Sequence, residues 1–196
     1  MRRSIPDGDP DLLGAFRGST STLTSSALRH AHRTGRIVRI RRDLYVDADL
    51  WNADDTSPEA IRNRLRIASV IAVAAAPRSR ASHRSASVLA GIPLWSWTAT
   101  LPCLTVPPSF DSMISRAHLH RARLPAEHLD SADPRRTAAA RTILDLAREH
   151  GLRDAVVAGD HALRHGLPSA PASPESAVPV GSSNSLITAA NPRWSR

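Results

Sequence analysis

The sequence predicts an α+β protein in three parts: a small basic module at residues 1–50, a mixed α/β domain at 51–167 and a disordered tail at 168–196. Three observations support this division. Apolar residues at helical spacing alternate with short segments of β pattern. Six of the nine arginines of the first part lie in residues 24–42, which are predicted to form a helix and a hairpin, and the composition changes sharply at Pro168.

In the basic module, the pattern predicts a helix over residues 25–34, with Thr24 as its N-cap and Gly35 as its C-terminal stop. Leu28 and Ala31 lie on one side of this helix and are expected to face the core. The opposite side is expected to carry Ser25, Ser26, Arg29, Arg33 and Arg36.

An arginine-rich hairpin follows the helix. Residues 37–41 alternate apolar and arginine side chains, which predicts a strand; Arg42-Asp43 forms the turn and residues 44–46 the return strand. A short helix is expected earlier, over residues 11–17. A helix followed by such a hairpin is the layout of a winged helix.

The mixed domain is predicted to contain helices over residues 58–76, 84–90, 138–150 and 153–165 and strands over 103–106 and 117–124. Thr56 and Glu59 are placed for a capping box at the first helix, and Ser82 for capping the second. Cys103 is expected to be a small buried residue of a core strand. From Pro168 onward Pro, Ser, Ala and Gly dominate, which predicts disorder.

Charge and composition restrict the partners and the compartment. All 26 basic residues are arginine, and the net charge is +8. This surplus favours nucleic acid or an acidic protein as a partner over a membrane. One cysteine allows no internal disulfide, and the N-terminal residues have no apolar core typical of a signal peptide. A cytoplasmic protein is expected.

Four segments together resemble one family. Residues 31–46 resemble the recognition helix and wing of the AbiEi antitoxin family, and residues 82–94 are similar to its Ser-His-x-Ser-Ala segment, which ends in a Gly-Leu-Pro motif. Residues 104–108 resemble its central strand, and 140–147 its Arg-Thr-x-x-Asp helix. These segments lie in the family's order between residues 24 and 167.

The resemblance implies a winged helix that binds the promoter of its own operon, and a second domain that counteracts a nucleotidyltransferase-like toxin without forming a stable complex with it. Longer relatives add an endonuclease-like domain, which this chain does not show. The family usually has a whole helix where this chain has only residues 18–23, so its winged-helix scaffold is an abbreviated one.

These observations lead to one functional prediction: a DNA-binding antitoxin and transcriptional autorepressor of a type IV toxin–antitoxin operon, which acts by binding and not as an enzyme. Residues 24–42 hold six arginines and no acidic residue. The predicted DNA-contacting residues are Ser25, Ser26, Arg29, Arg33, Arg36, Arg39, Arg41 and Arg42.

No catalytic residue, cofactor or metal ion is expected. His118 and His120 on one strand, or His161 and His165 on one helix, have spacings known from zinc sites, but neither pair has an evident third ligand, so surface histidines are the preferred interpretation. Without any lysine, the chain has no Walker-type phosphate loop.

Two other pairs have structural interpretations. Ser82-His83 is read as a helix cap followed by a packing residue and not as a nucleophile with its base. Arg141 and Asp145 are expected to form an ion pair between successive turns of one helix.

Two alternatives from other classes remain open. In one, the chain is a protein-interaction module whose arginines meet an acidic partner. In the other, it is the truncated remnant of a longer endonuclease-like protein.

Overall fold

The computed structural model describes residues 8–97, 101–111, 114 and 116–167. The predicted α+β class is confirmed: these residues form six α-helices and two three-stranded sheets. The disorder predicted for residues 168–196 concerns a segment outside the described residues. In the described part of the chain, no helix combines the length and the hydropathy that crossing a bilayer requires.

The first sheet is antiparallel and has the strand order β1-β3-β2. Strand β1 spans Phe16–Arg17, β2 spans Ile37–Arg41 and β3 spans Leu44–Asp47, while helix α1 (Ser25–Arg33) lies between β1 and β2. The helix and the hairpin therefore form where the sequence predicted them.

The prediction of a helix over residues 11–17 is wrong. A single 3-10 turn, Pro10–Leu12, is followed by strand β1. Leu13 and Gly14 have φ values of 54° and 85°, which no right-handed helix accommodates. Phe16 is instead buried and pairs with Tyr45, so the segment becomes the third strand of the sheet.

Helix α3 (Pro58–Ala75) packs on the first sheet and follows a short helix α2 (Ala48–Trp51). Ile67 and Ile71 of α3 are fully buried and join Leu44 and Val46 of β3 in one apolar core. The N-terminal hairpin thus shares its core with the long helix that follows it in the chain.

The N-cap of α3 differs from the prediction. Ser57, not Thr56, occupies the cap, and its hydroxyl accepts a hydrogen bond from the amide of Ala60 at 3.2 Å. Asp55 in turn accepts from the amide of Ser57, so two consecutive side chains order the approach to the helix.

The second sheet has the order β4-β5-β6, with β4 (Arg80–Ala81) antiparallel and β6 (His118–Arg121) parallel to β5 (Cys103–Val106). All four residues of β5 are buried, as their apolar pattern predicts. Helix α4 (His83–Ala90) follows β4 directly.

Helices α5 (Ala139–Glu149) and α6 (Leu152–Arg164) complete the described fold and pack with the segment after α4. A buried ion pair connects α4 to α6: an Nη of Arg84 lies 3.1 Å from Oδ2 of Asp154. The other oxygen of Asp154 accepts hydrogen bonds from the backbone amides of Trp95 and Ser96. The buried Asp154 carboxylate therefore connects α6 both to α4 and to the backbone that follows α4.

Candidate nucleic-acid interface

Helix α1 forms because its two ends are capped. The Thr24 hydroxyl accepts a hydrogen bond from the amide of Ala27, and Gly35 follows the helix with φ of 70°. Leu28 and Ala31 are buried against Phe16 and Ile37. One face of α1 is thereby fixed to the sheet, and the other is turned to solvent.

The predicted contact residues of α1 lie on this outer face. Ser25, Ser26, Arg29 and Arg33 are all exposed, and the two arginines are one turn apart. The Ser26 hydroxyl lies 3.0 Å from that of Thr24, so this serine also takes part in the cap. The exposed face presents guanidinium groups with five donors each.

The hairpin turn is built around Asp43. Its φ of 61° closes the turn between β2 and β3. The Asp43 carboxylate accepts hydrogen bonds from the amide and the hydroxyl of Ser19, and the Ser19 hydroxyl is the main reason why the pKa of Asp43 lies below its usual value. The Asp43 carboxylate therefore connects the hairpin turn to Ser19 and stabilises the turn.

The connection before α1 crosses the hairpin at Gly18. A β-carbon there would lie 2.9 Å from the Tyr45 ring and 3.0 Å from the Asp43 carboxylate. The Gly18 amide also donates to the Asp43 carbonyl at 3.0 Å. This close approach holds the segment 18–23 over the hairpin without a helix.

The hairpin arginines divide into two environments. Arg39 and Arg42 are exposed. Arg36 is exposed too, but it lies between the end of α1 and the start of β2 and not on the helix face where it was predicted, because α1 ends at Arg33. Arg41 is partly buried and lines a cleft of about 360 Å³ between β2 and α3, together with Arg116. Burial, followed by the charge of Arg116, lowers the pKa of Arg41 below its usual value. Arg41 therefore lies apart from the surface formed by the other arginines.

Exposed positive charge remains uncompensated on α1 and the turn. Among the residues that the structure describes, no carboxylate lies within 4.0 Å of the guanidinium groups of Arg29, Arg33 or Arg42. Anionic groups of a partner are the natural counterparts of such a surface.

The scaffold around α1 is small. In residues 8–36, the only α-helix is α1 itself, so the described segment holds no second helix before the hairpin. The support comes instead from β1, from the hairpin and from α3 behind the sheet.

A second polar cluster lies in the other half of the fold, and it was not predicted. His83 begins α4, His120 lies in β6 and Glu149 ends α5. Their ligating atoms all lie within 4.8 Å of one another. His118, the expected partner of His120, is exposed. His161 and His165 do approach each other, with ring centroids 4.2 Å apart.

The histidines of this cluster lie at least partly buried, and burial lowers their pKa values. Burial, followed by the nearby His120 and His150, lowers the pKa of His83 to about 3. Burial also lowers the pKa values of His120 and His150. His83 has φ of 51°, a backbone conformation that residues with a β-carbon rarely adopt.

Neighbouring residues confirm two structural interpretations and correct a third. Arg141 Nε lies 2.8 Å from Asp145 Oδ1, as predicted; Asp145 is buried and Arg141 partly buried. Cys103 is buried, and burial raises the pKa of its thiol to about 12. The Ser82 side chain makes no cap hydrogen bond; its Oγ lies 3.0 Å from His83 Nδ1.

Comparison with models of known protein families and with curated proteins finds no match for this chain.

Proposed function

We propose that the chain is a sequence-selective DNA-binding regulator. The observation that carries this proposal is the outer face of α1 with the adjoining hairpin turn, where the exposed Arg29, Arg33 and Arg42 have no carboxylate within 4.0 Å among the described residues. Guanidinium groups suit both phosphate oxygens and the guanine edge.

In this proposal, α1 acts as the recognition helix and the β2–β3 hairpin as the wing. An α-helix with its side chains is about 10–12 Å in diameter, so the nine-residue α1 fits the major groove of B-DNA, which is about 12 Å wide. Ser25, Arg29 and Arg33 then face base edges. Arg36, Arg39 and Arg42 contact phosphates beside the groove, where they add affinity without reading sequence.

The resemblance to the AbiEi family makes the proposal more specific. The chain would be an antitoxin and the autorepressor of a type IV toxin–antitoxin operon, which acts in the cytoplasm by binding the promoter of its own operon. Its second half would oppose a nucleotidyltransferase-like toxin. Genes next to the one that encodes this chain are the direct place to look for that toxin.

Fluorescence anisotropy tests DNA reading with the full chain. The probes are a labelled duplex from the region upstream of the gene and a scrambled duplex of the same composition, each at two salt concentrations. Specific readers bind their site about 10³-fold or more tightly than other DNA. Equal binding of both duplexes, or of neither, contradicts the proposal.

A second candidate is a protein-interaction module, favoured by apolar side chains that α5 and α6 expose. Leu144 is 54% exposed, Val156 58% and Leu163 86%. Together with the small scaffold around α1, this face fits a chain that docks a protein. In that case the arginines would bind an acidic protein with no preference between the two duplexes.

A further inference from the structure

The cluster of His83, His120 and Glu149 brings three metal-ligating side chains together from three separate elements. His83 Nε2 lies 3.1 Å from Glu149 Oε2, and His120 Nε2 lies 3.4 Å from the same oxygen. Ligands about 2.0–2.2 Å from a tetrahedral zinc ion lie roughly 3.3–3.6 Å from one another. The separations from Glu149 are therefore close to those of a metal site.

The orientation of His83 is fixed by its neighbour. The Ser82 hydroxyl lies 3.0 Å from His83 Nδ1, which leaves Nε2 directed at Glu149. Metal-ligating histidines are usually held in this way, with the second ring nitrogen bonded to a neighbouring group.

Two ring nitrogens at the cluster make no hydrogen bond within the described part of the chain, although both lie near Glu149. Nε2 of His120 and Nε2 of His150 are buried, and neither makes a hydrogen bond to the described residues. His150 Nε2 is 4.0 Å from the second oxygen of Glu149, so a fourth ligand adjoins the first three. Buried nitrogens of this kind are normally satisfied by a hydrogen bond or by a metal ion.

We propose that His83, His120 and Glu149 bind a divalent first-row transition-metal ion, with Zn²⁺ as the probe and His150 as an additional ligand. Two imidazoles and one carboxylate are the donors that such ions prefer. This site is independent of the proposed DNA-binding face. It would connect α4, β6 and α5 through one ion.

The surroundings allow this ion. Arg141, whose charge opposes a cation, is paired with Asp145 at 2.8 Å. The rings of His83 and His120 stack with centroids 3.9 Å apart, so binding requires one ring to tilt. His120 and Glu149 keep 28% and 34% of their side chains exposed, which gives them room to move and gives the ion access.

The test is calorimetric titration of the tag-free full chain with Zn²⁺ after dialysis against a chelator. We expect one ion per chain with a Kd of about 1 µM or tighter. Glu149→Gln keeps the shape of the side chain and removes its charge, and it should weaken binding about 100-fold. His120→Gln is a second variant with the same expectation.

The matched control is His161→Gln/His165→Gln, which removes the other close histidine pair and should leave the tight site intact. Zn²⁺ should also raise the unfolding temperature of the wild type and of this control, but not of Glu149→Gln. Co²⁺ should give a spectrum without thiolate charge transfer, because the proposed donors include no cysteine.

The site would be overturned if the wild type showed no saturable binding at a Zn²⁺ concentration about ten times the expected Kd. It would also be overturned if Glu149→Gln bound Zn²⁺ as tightly as the wild type, or if the His161→Gln/His165→Gln control lost binding. Each would leave the cluster as two stacked histidine rings next to a glutamate, with no metal ion. None of these results bears on DNA binding.

Discussion

Replacing Arg39 and Arg42 with alanine removes two exposed guanidinium groups from the β2–β3 hairpin. The Nε–H of Arg39 donates a hydrogen bond to the carbonyl of Arg41 at 3.3 Å, and Arg42 lies at the turn, so neither side chain supports the core. In the proposed complex both groups contact phosphates. The double variant should therefore fold normally and bind DNA with a weaker dependence on salt.

The size of the effect follows from counterion release. Each lost phosphate contact reduces the slope of log Kobs against log salt by about 0.9, so two contacts reduce it by about 1.8. Between about 50 and 200 mM salt, the wild type should then lose about 12-fold more affinity than the variant does. The preference for the upstream duplex over the scrambled one should change little, because phosphate contacts carry no sequence information.

Anisotropy titrations at several salt concentrations measure this slope. The matched control is Arg123→Ala/Arg148→Ala, which removes the same charge from exposed positions in the other half of the fold. If the hairpin variant keeps the slope of the wild type, or if the control lowers it equally, then the hairpin does not contact phosphates and the reasoning is refuted.

Two further predictions concern the second half of the fold. Asp154→Asn removes the negative charge that faces the buried Arg84 guanidinium and should reduce the free energy of unfolding by about 3 kcal/mol, as measured by urea denaturation; a loss below about 1 kcal/mol would contradict the structural role of the pair. Because burial raises the pKa of the Cys103 thiol to about 12, the thiol stays protonated at pH 8. The reactive thiolate forms only as the pH approaches that value. Ellman's reagent should therefore label Cys103 slowly in the native protein and fully in denaturant, and rapid native labelling would show that the thiol is accessible.

Local patterns were sufficient to predict α1 and the hairpin. The Thr24 cap, the helical spacing of Leu28 and Ala31, and the alternation along residues 37–41 each act within a few residues of chain. Strand β1 was missed because its formation depends on pairing with Tyr45, far along the chain, which the sequence of residues 11–17 does not reveal.

In the candidate sites too, local patterns could be predicted from the sequence and long-range contacts could not. The arginine face of α1 could be predicted, since helical periodicity alone places Arg29 and Arg33 together. The half-buried environment of Arg41 could not, because it depends on Arg116 and on the packing of α3. The histidine–glutamate cluster was missed for the same reason: α4, β6 and α5 meet only in the folded chain.

Arg29→Ala/Arg33→Ala, compared with Arg123→Ala/Arg148→Ala, tests most directly whether α1 reads DNA sequence. The measurement is the ratio of affinities for the upstream and scrambled duplexes by anisotropy. An arginine that reads a guanine edge contributes about 1–3 kcal/mol of discrimination, so losing two should lower this ratio by at least about 30-fold. The control should keep the ratio of the wild type. If the ratio is unchanged in the α1 variant, or if the wild type itself shows no preference, α1 is not a recognition helix and the DNA-binding account is wrong.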